Sequence, residues 1–303
     1  MKQIKFFLTA ITIALLSYNA YCIKPDTVIH ITPNSFGLHY SKKTVLTKDS
    51  VEISGWFIPS QGKVDRDSAL NYYVKNPVEN REITHEDKKP TIILCDGDGG
   101  NKSYTIWMAN EFLVHDVNVF MFDWRGFGDS QKWEIKQEYL VIPEFLKDYD
   151  AVVDYVFDMP ETDTTKIFAY GYSTGFYLTF ATAVTNPKLK AIAGRSLITT
   201  LPDLKRCLAT VKDTTGFIIP NDYPEDLYPL NCADKLNIPI LMYVGKNDLQ
   251  TPVWMSQKVF DKIPTPKKQL IIVEDAEHCD VEINLLDTIF RDIGDFFLNS
   301  KRE

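Results

Sequence analysis

The segment with the clearest potential for chemistry is Gly-Tyr-Ser-Thr-Gly at residues 171–175. A β-branched, apolar run at 166–170 precedes it, and a helix-like run at 176–184 follows it. A strand that turns abruptly into a helix leaves no room for a Cβ on either side of the serine, and the turn strains the serine backbone. This pattern predicts a nucleophile elbow that exposes the Ser173 hydroxyl for attack on an electrophilic carbon.

A serine hydroxyl is a poor nucleophile near neutral pH, so Ser173 needs a neighbouring base and a carboxylate that fixes the tautomer of that base. With a nucleophile elbow, the acid and then the histidine follow the serine in the chain. Of the five histidines, only His278 lies beyond Ser173, which makes it the predicted base. It follows the last predicted strand, at the carboxyl edge of the sheet, where open α/β sheets bind their ligands.

The predicted acid is Asp248. An apolar strand at 238–244 ends in the turn Gly-Lys-Asn-Asp, and Thr-Pro at 251–252 then begins a helix. An aspartate in such a turn also caps a following helix, so a purely structural role for Asp248 remains an alternative.

Acyl transfer also requires hydrogen-bond donors for the oxyanion that develops in the transition state. The backbone N–H of Thr174, at the start of the helix after the elbow, is one predicted donor. The second is assigned to the N–H of Asp98, in the glycine-rich loop Asp-Gly-Asp-Gly-Gly-Asn at 96–101. A phosphate cradle is excluded for this loop because no Gly-Lys-Ser/Thr follows at the required spacing.

The elements that must position these groups alternate between strand and helix from residue 91 onward. Strands are predicted at 91–95, 117–122, 167–170, 189–193, 238–244 and 269–273, and helices at 104–115, 144–157, 174–184, 252–263 and 283–298. Apolar runs at 43–47 and 51–58 predict an antiparallel hairpin at the start of the sheet. The order predicts an α/β fold with a doubly wound, mainly parallel sheet in one domain, residues 23–303.

A small cap insertion is predicted at about 197–236, because this proline-containing segment is too long for an ordinary connection. Its apolar residues would either bind an acyl chain or aromatic group or bury the cap against the sheet, and both readings stay open: Phe217, Ile218, Ile219, Tyr223, Leu227 and Tyr228.

Residues 1–22 have the features of a secretory signal peptide: a positively charged start, an apolar core at 6–16, and small residues Ala20 and Cys22 before the predicted cleavage site. Cleavage after Cys22 predicts a secreted or periplasmic protein. The apolar core is too short to favour a spanning helix. An uncleaved segment that anchors the protein to a membrane is the alternative.

The net charge of −8 implies a surface that repels phosphate backbones, which disfavours nucleic acid as a partner. After cleavage four cysteines would remain, an even number in a compartment that permits disulfides. Cys207 and Cys232 are the predicted pair, and buried free thiols are an equal alternative. The cysteine spacing has no metal-ligand pattern.

Four blocks together carry a resemblance to the α/β-hydrolase superfamily. They are the loop at 96–101, Asp-Trp-Arg-Gly-Phe-Gly-Asp-Ser at 123–130, the elbow at 171–175, and Gly-Lys-Asn-Asp-Leu-Gln-Thr-Pro at 245–252 with Glu-His-Cys at 277–279. The second block is similar to the branch that contains small serine esterases, acyl-protein thioesterase-like depalmitoylases and some serine peptidases. The resemblance implies a triad of Ser173, Asp248 and His278 with no metal or organic cofactor.

One departure from the superfamily lies in the oxyanion loop, where Asp96 replaces the usual histidine. Acids at 96 and 98 would weaken anion stabilisation unless their charges are neutralised or point away. The expected function is a serine hydrolase that cleaves a small-molecule carboxylic ester, or a thioester, through an acyl-enzyme. The alternatives are a disabled hydrolase-fold binding protein, and an acyltransferase or serine peptidase with the same triad.

Overall fold

The computed structural model describes residues 22–285 and 288–300, so the predicted signal segment, apart from Cys22, lies outside the described residues. The strands within them are β1 (Lys24–Pro25), β2 (Ser41–Leu46), β3 (Glu52–Ile58), β4 (Lys89–Cys95), β5 (Gly99–Gly100), β6 (Asn118–Phe122), β7 (Thr162–Tyr172), β8 (Ala191–Arg195), β9 (Ile240–Gly245) and β10 (Lys268–Val273). The helices are α1 (Arg66–Ser68), α2 (Ile106–Phe112), α3 (Phe145–Asp158), α4 (Thr174–Thr185), α5 (Leu201–Leu208), α6 (Pro229–Cys232), α7 (Val253–Lys262), α8 (Val281–Asn284) and α9 (Ile289–Asn299). Short helical turns lie at Pro33–Phe36, Ala69–Tyr73, Lys102–Thr105, Leu113–His115, Glu225–Leu227 and Ala233–Lys235. None of these helices is long and apolar enough to cross a membrane.

Eight of the strands form one sheet in the order β10-β9-β8-β7-β4-β6-β3-β2. Strand β3 is antiparallel to both β2 and β6, and the other neighbours are parallel. The predicted mainly parallel sheet with an antiparallel N-terminal hairpin is therefore confirmed. From β4 the chain extends the sheet in one direction, and from β7 it extends the sheet in the other. A sheet of this kind binds ligands outside the carboxyl ends of the strands where the direction changes, here β4 and β7.

Both faces of the sheet are covered by helices. In β4, Ile93 and Cys95 belong to the apolar cluster that contains α3 and α4, whereas Ile92 and Leu94 belong to the cluster that contains α2 and α9. Successive side chains of a strand point to opposite faces, so a strand that is apolar at every position needs cover on both sides. The continuous apolar runs in the sequence thus account for the doubly wound arrangement.

The single closing helix predicted at 283–298 is wrong, because the structure has two helices, α8 and α9, in this region. Helix α8 places the buried side chain of Glu282 in an ion pair, and α9 packs through aromatic residues such as Phe297, whose ring stacks on Phe168 at 4.8 Å. Apolar residues recur at helical spacing in both segments, so periodicity alone did not reveal the break.

The insertion predicted as a cap contains α5 and α6. Phe217, Tyr223 and Tyr228 are only 2%, 3% and 4% exposed and join the apolar cluster of α3 and α4, whereas Ile218 is 42% exposed. The sequence leaves two interpretations open for these side chains: binding of an acyl chain or aromatic group, and burial of the cap against the sheet. Burial applies to most of them.

The five cysteines in the described residues are free thiols. The predicted Cys207–Cys232 disulfide is therefore wrong, and these two residues are buried separately as small apolar groups. Burial also raises the pKa of the Cys95 thiol to about 12, so this thiol is inert at neutral pH.

Arg125, in the block at 123–130, joins three parts of the chain. Its guanidinium is fully buried and donates through Nε and Nη2 to Oδ1 of Asp148 on α3, at 2.8 and 2.7 Å. It also donates through Nη1 to Oδ2 of Asp49, in the β2–β3 turn, at 2.9 Å. The Arg125 N–H bonds the second Asp148 oxygen at 3.0 Å. This block therefore has a structural role, because it ties α3 and the β2–β3 turn together.

We expect Asp148→Ala to lower the free energy of unfolding by about 3 kcal/mol or more, because it leaves part of a buried guanidinium unpaired. Urea unfolding monitored by tryptophan fluorescence measures the change.

The matched control is Glu274→Ala, which removes a surface ion pair with Lys246 whose side chains are 67% and 55% exposed. Such a pair contributes less than about 1 kcal/mol. Equal losses in the two variants would contradict the structural role assigned to Arg125 and Asp148.

Candidate active site

The candidate nucleophile, Ser173, lies between the end of β7 and the start of α4. Its backbone has φ +53° and ψ −125°, a region that L-residues rarely occupy. The Ser173 N–H donates to the carbonyl oxygen of Arg195, at the end of the neighbouring strand β8, at 3.0 Å. The predicted sharp strand-to-helix turn is present, and a backbone bond from the next strand holds the strained residue.

The two glycines of the elbow are required by close backbone contacts. A Cβ on Gly175 would lie 2.1 Å from the carbonyl oxygen of Asp96 and 2.5 Å from that of Cys95. A Cβ on Gly171 would lie 2.9 Å from backbone atoms of Gly175 and Phe176. Backbone atoms have little freedom to move away, so larger residues at either position would displace the turn from the end of β4.

The structure brings Ser173, His278 and Asp248 into one chain of hydrogen bonds. The His278 Nε2 atom lies 3.0 Å from Ser173 Oγ, and its Nδ1 atom lies 2.8 Å from Asp248 Oδ2. With the proton on Nδ1, His278 donates to the carboxylate and accepts from the serine hydroxyl. These residues are 75 and 30 positions apart along the chain, and the loops after β7, β9 and β10 bring them together.

Asp248 is only 2% exposed and accepts four further hydrogen bonds at its two oxygens. The N–H groups of Gln250 and Thr251 donate to Oδ1 at 2.9 and 2.8 Å, and the hydroxyls of Thr251 and Ser196 donate to Oδ2 at 2.7 and 3.1 Å. Burial by itself raises the pKa of this carboxyl, but the hydrogen bonds from His278 and Thr251 more than offset burial, and the net pKa is lowered. Asp248 therefore organises its own turn, as the structural alternative held, and also contacts the histidine as a carboxylate.

The predicted oxyanion residues are also neighbours. Thr174 is the first residue of α4, so its N–H has no acceptor within the helix, and its hydroxyl donates to Asp98 Oδ2 at 3.4 Å. The loop that carries Asp98 is fixed by the N-terminal segment, because the Lys24 N–H donates to the Asp98 carbonyl oxygen at 2.7 Å. Sequence patterns gave no indication that residues 24–28 pack here.

Burial raises the pKa of both acids in this loop. Asp96 Oδ2 is buried without a hydrogen-bond partner, and burial, together with the charge of Asp123, raises the Asp96 pKa to about 8 although Thr105 donates to the other oxygen. Burial also raises the Asp98 pKa, against the lowering effects of Lys212 and His278. Asp96 is therefore protonated at neutral pH, which removes one of the two charges that the sequence placed beside the oxyanion site.

Arg195 and Ser196 are neighbours of the site that the sequence did not single out. Ser196 donates to Asp248, and the guanidinium of Arg195 contacts the backbone carbonyl oxygen of His278. The one feature of the sequence that could have indicated them is their position at the end of an apolar strand, where residues lie at the carboxyl edge of the sheet. Among the described residues, no group of three or more His, Cys, Asp or Glu side chains is placed to hold a metal ion.

Comparison with known proteins agrees with the fold. The chain matches the sequence profile of the prolyl oligopeptidase family over residues 103–300. Uncharacterized protein YfhR of Escherichia coli K12 is 26% identical over 254 residues, which are 84% of this chain and 78% of that protein. Protein bem46 of Schizosaccharomyces pombe is 24% identical over 268 residues, 88% of this chain and 79% of that protein.

Among solved structures, the esterase PF2001 of Pyrococcus furiosus superposes with a TM-score of 0.71 at 17% identity, covering 92% of this chain and 98% of that chain. This similarity is one of fold. With the topology of the sheet, it confirms the predicted α/β-hydrolase fold.

We expect Asp96→Asn to stabilise the protein at neutral pH. The folded chain keeps the Asp96 proton up to pH about 8, whereas the unfolded chain releases it near 3.8, so this residue lowers folding stability as pH rises between these values. Asparagine mimics the protonated acid and should raise the free energy of unfolding at pH 7 by about 1 kcal/mol or more, since one pKa unit is about 1.4 kcal/mol. Thermal unfolding from pH 4 to pH 9 measures the difference, which should vanish near pH 4.

Asp163→Asn is the control of opposite sign. Hydrogen bonds from Thr165 lower the Asp163 pKa, outweighing a larger single effect of burial that raises it. Its contribution to stability is therefore present above 3.8 and lost as pH falls, so the variant should be less stable than the wild type at neutral pH. The same pH profile for Asp96→Asn as for Asp163→Asn would refute the assignment of a protonated Asp96.

Proposed function

The chain belongs to the prolyl oligopeptidase family and is a hydrolase of the α/β type, and from that premise we propose that it cleaves a carboxylic ester, or a thioester, through an acyl-enzyme intermediate. The observation that carries the proposal is the continuous contact from the Ser173 hydroxyl through the His278 imidazole to the Asp248 carboxylate. A serine aligned in this way is the nucleophile of acyl-transfer enzymes.

In the first half of the reaction, Ser173 Oγ attacks the acyl carbon while His278 Nε2 takes the hydroxyl proton. The tetrahedral intermediate collapses as His278 gives this proton to the leaving alcohol or thiol, and the acyl group stays on the serine. In the second half, His278 takes a proton from water, which attacks the acyl-enzyme, and then returns a proton to Ser173 as the acid leaves. Asp248 holds the Nδ1–H tautomer and stabilises the imidazolium in both halves.

The N–H groups of Thr174 and Asp98 are proposed to bind the oxyanion of both tetrahedral intermediates. Support comes from the start of α4, whose first N–H groups lack acceptors within the helix, and from the adjacent position of the Asp98 loop. The protonated state of Asp96 supports the assignment, because a neutral side chain beneath the loop does not repel the developing negative charge.

Two alternatives use the same nucleophile. The description of the family favours cleavage of a peptide bond, and an alcohol or amine in place of water would give acyl transfer. Both reactions pass through an acyl-enzyme, so their products distinguish them from ester hydrolysis. A disabled binding protein is the remaining alternative; the intact contacts among Ser173, His278 and Asp248 argue against it.

We expect a fluorophosphonate probe to label the wild-type protein and a panel of p-nitrophenyl esters to release acid, with both activities reduced by about 10³-fold or more in Ser173→Ala. Peptide mapping should find the label on Ser173, and assays with peptides and with added alcohols identify the other two reactions. The control is Ser68→Ala, which changes an exposed serine on α1 and should label like the wild type.

Labelling of a folded Ser173→Ala variant at the wild-type rate would rule out this nucleophile. Retention of a ligand without acid release from any ester, thioester or peptide would favour the binding protein.

Export of the protein is proposed from the sequence of residues 1–22. The positively charged start and the apolar core at 6–16 support a signal peptide. N-terminal sequencing of the chain from the periplasm or medium of an export-competent bacterial host should therefore begin at Ile23. Recovery of the uncleaved chain in the membrane fraction would favour an anchor, and recovery in the cytosol would contradict export.

A further inference from the structure

Arg195 is a buried cation beside the candidate active site. It is the last residue of β8 and is only 4% exposed. Burial of a guanidinium is costly unless its donors are paired. Here Nε donates to both oxygens of Glu282, at 2.5 and 2.6 Å, Nη1 donates to the backbone carbonyl oxygen of His278, and the guanidinium lies over the Tyr172 ring at 4.6 Å from its centroid.

These contacts reach both halves of the catalytic apparatus. Tyr172 immediately precedes the nucleophile, and the Arg195 carbonyl oxygen accepts the Ser173 N–H at 3.0 Å. The contact with the His278 carbonyl oxygen fixes the backbone of the loop that carries the imidazole. One residue therefore sets the distance between the turn that carries the nucleophile and the loop that carries the base.

Glu282 in turn fixes the orientation of the guanidinium. It lies on α8, immediately after the histidine loop, and is only 2% exposed. Its Oε1 atom also accepts the hydroxyl of Tyr170, on β7, at 2.7 Å. A carboxylate that binds Nε and is itself tied to β7 leaves Nη1 directed at the His278 carbonyl oxygen. Lysine has neither the planar fork nor the five donors needed to meet these partners together.

We infer that Arg195 is a positioning residue that holds His278 in line with Ser173 for proton transfer, an inference that rests on the function proposed above. It acts through the main chain and touches neither substrate nor reacting atoms. A displacement of a catalytic group by about 1 Å costs on the order of 100-fold in rate. Loss of Arg195 should therefore reduce kcat much more than it changes KM.

The test uses the double variant Arg195→Met/Glu282→Gln in the full chain. Both changes together avoid an unpaired buried charge, and glutamine still accepts the Tyr170 hydroxyl. We expect kcat for a p-nitrophenyl ester to fall about tenfold or more, KM to stay within about twofold, and the rate of fluorophosphonate labelling to fall with kcat. The downfield proton resonance of the His278 Nδ1–H, bonded to Asp248, should shift or broaden.

The matched control is Arg66→Met/Glu111→Gln, which removes another Arg–Glu pair, with Nε and Oε1 2.6 Å apart and no contact with the site residues. The control should keep kcat and the His278 resonance. A folded Arg195→Met/Glu282→Gln variant whose kcat is no lower than that of the control would overturn the inference. If the double variant does not fold, Arg195→Lys takes its place, because it keeps a cation beside Glu282. Its kcat and His278 resonance are then compared with those of the control.

The resonance separates this inference from the proposed function. A wild-type protein that neither labels nor hydrolyses any ester, thioester or peptide would defeat the proposed function, yet His278 Nδ1–H would still report its position. An unchanged resonance in the folded double variant would defeat the role of Arg195 alone.

Discussion

Close backbone contact at the carboxyl ends of β4, β7 and β8 is the constraint on which the site depends. A Cβ on Gly194 would lie 2.3 Å from the Gly171 carbonyl oxygen, and one on Gly175 would lie 2.1 Å from that of Asp96. No side chain fits between these strand ends, so the loops that follow them start within hydrogen-bond distance of each other. The strain at Ser173 is tolerated because packing on both sides leaves the turn no alternative path.

The charged groups at this edge show how environment sets protonation for one type of residue. Asp248 and Asp96 are both aspartates near the ends of strands, yet the pKa of Asp248 is lowered and that of Asp96 is raised to about 8. Burial raises the pKa of both, but four hydrogen bonds besides that of His278 reach the Asp248 oxygens, whereas Asp96 accepts one, from Thr105, and lies near the charge of Asp123. The fold thus keeps Asp248 as a carboxylate beside His278 and neutralises Asp96.

The sequence predicted the mainly parallel sheet, the hairpin and the meeting of Ser173, Asp248 and His278. Each depends on local signals: alternating apolar strands and helices, glycines around a serine, a turn after an apolar strand, and a single histidine beyond the nucleophile. It missed the role of Arg195 and Glu282, whose pairing joins positions 87 residues apart and leaves no mark in periodicity. The same limit applies to β1, since two residues of parallel strand have no recognisable pattern. Contacts between distant segments of irregular chain are determined by tertiary packing alone.

The composition of the loop at 96–101 explains why the N-terminal segment packs against it. Glycines at 97, 99 and 100 make this loop costly to order, because glycine loses the most backbone freedom on folding. Their conformation must therefore be fixed from outside. The segment supplies this: β1 pairs with Gly99 and Gly100, and the Asn101 side chain donates to the carbonyl oxygens of Asp26 and Val28 at 3.0 and 2.7 Å. A loop with three glycines thus requires a separate strand to hold it, and the contacts that support the candidate site extend to the first described residues of the chain.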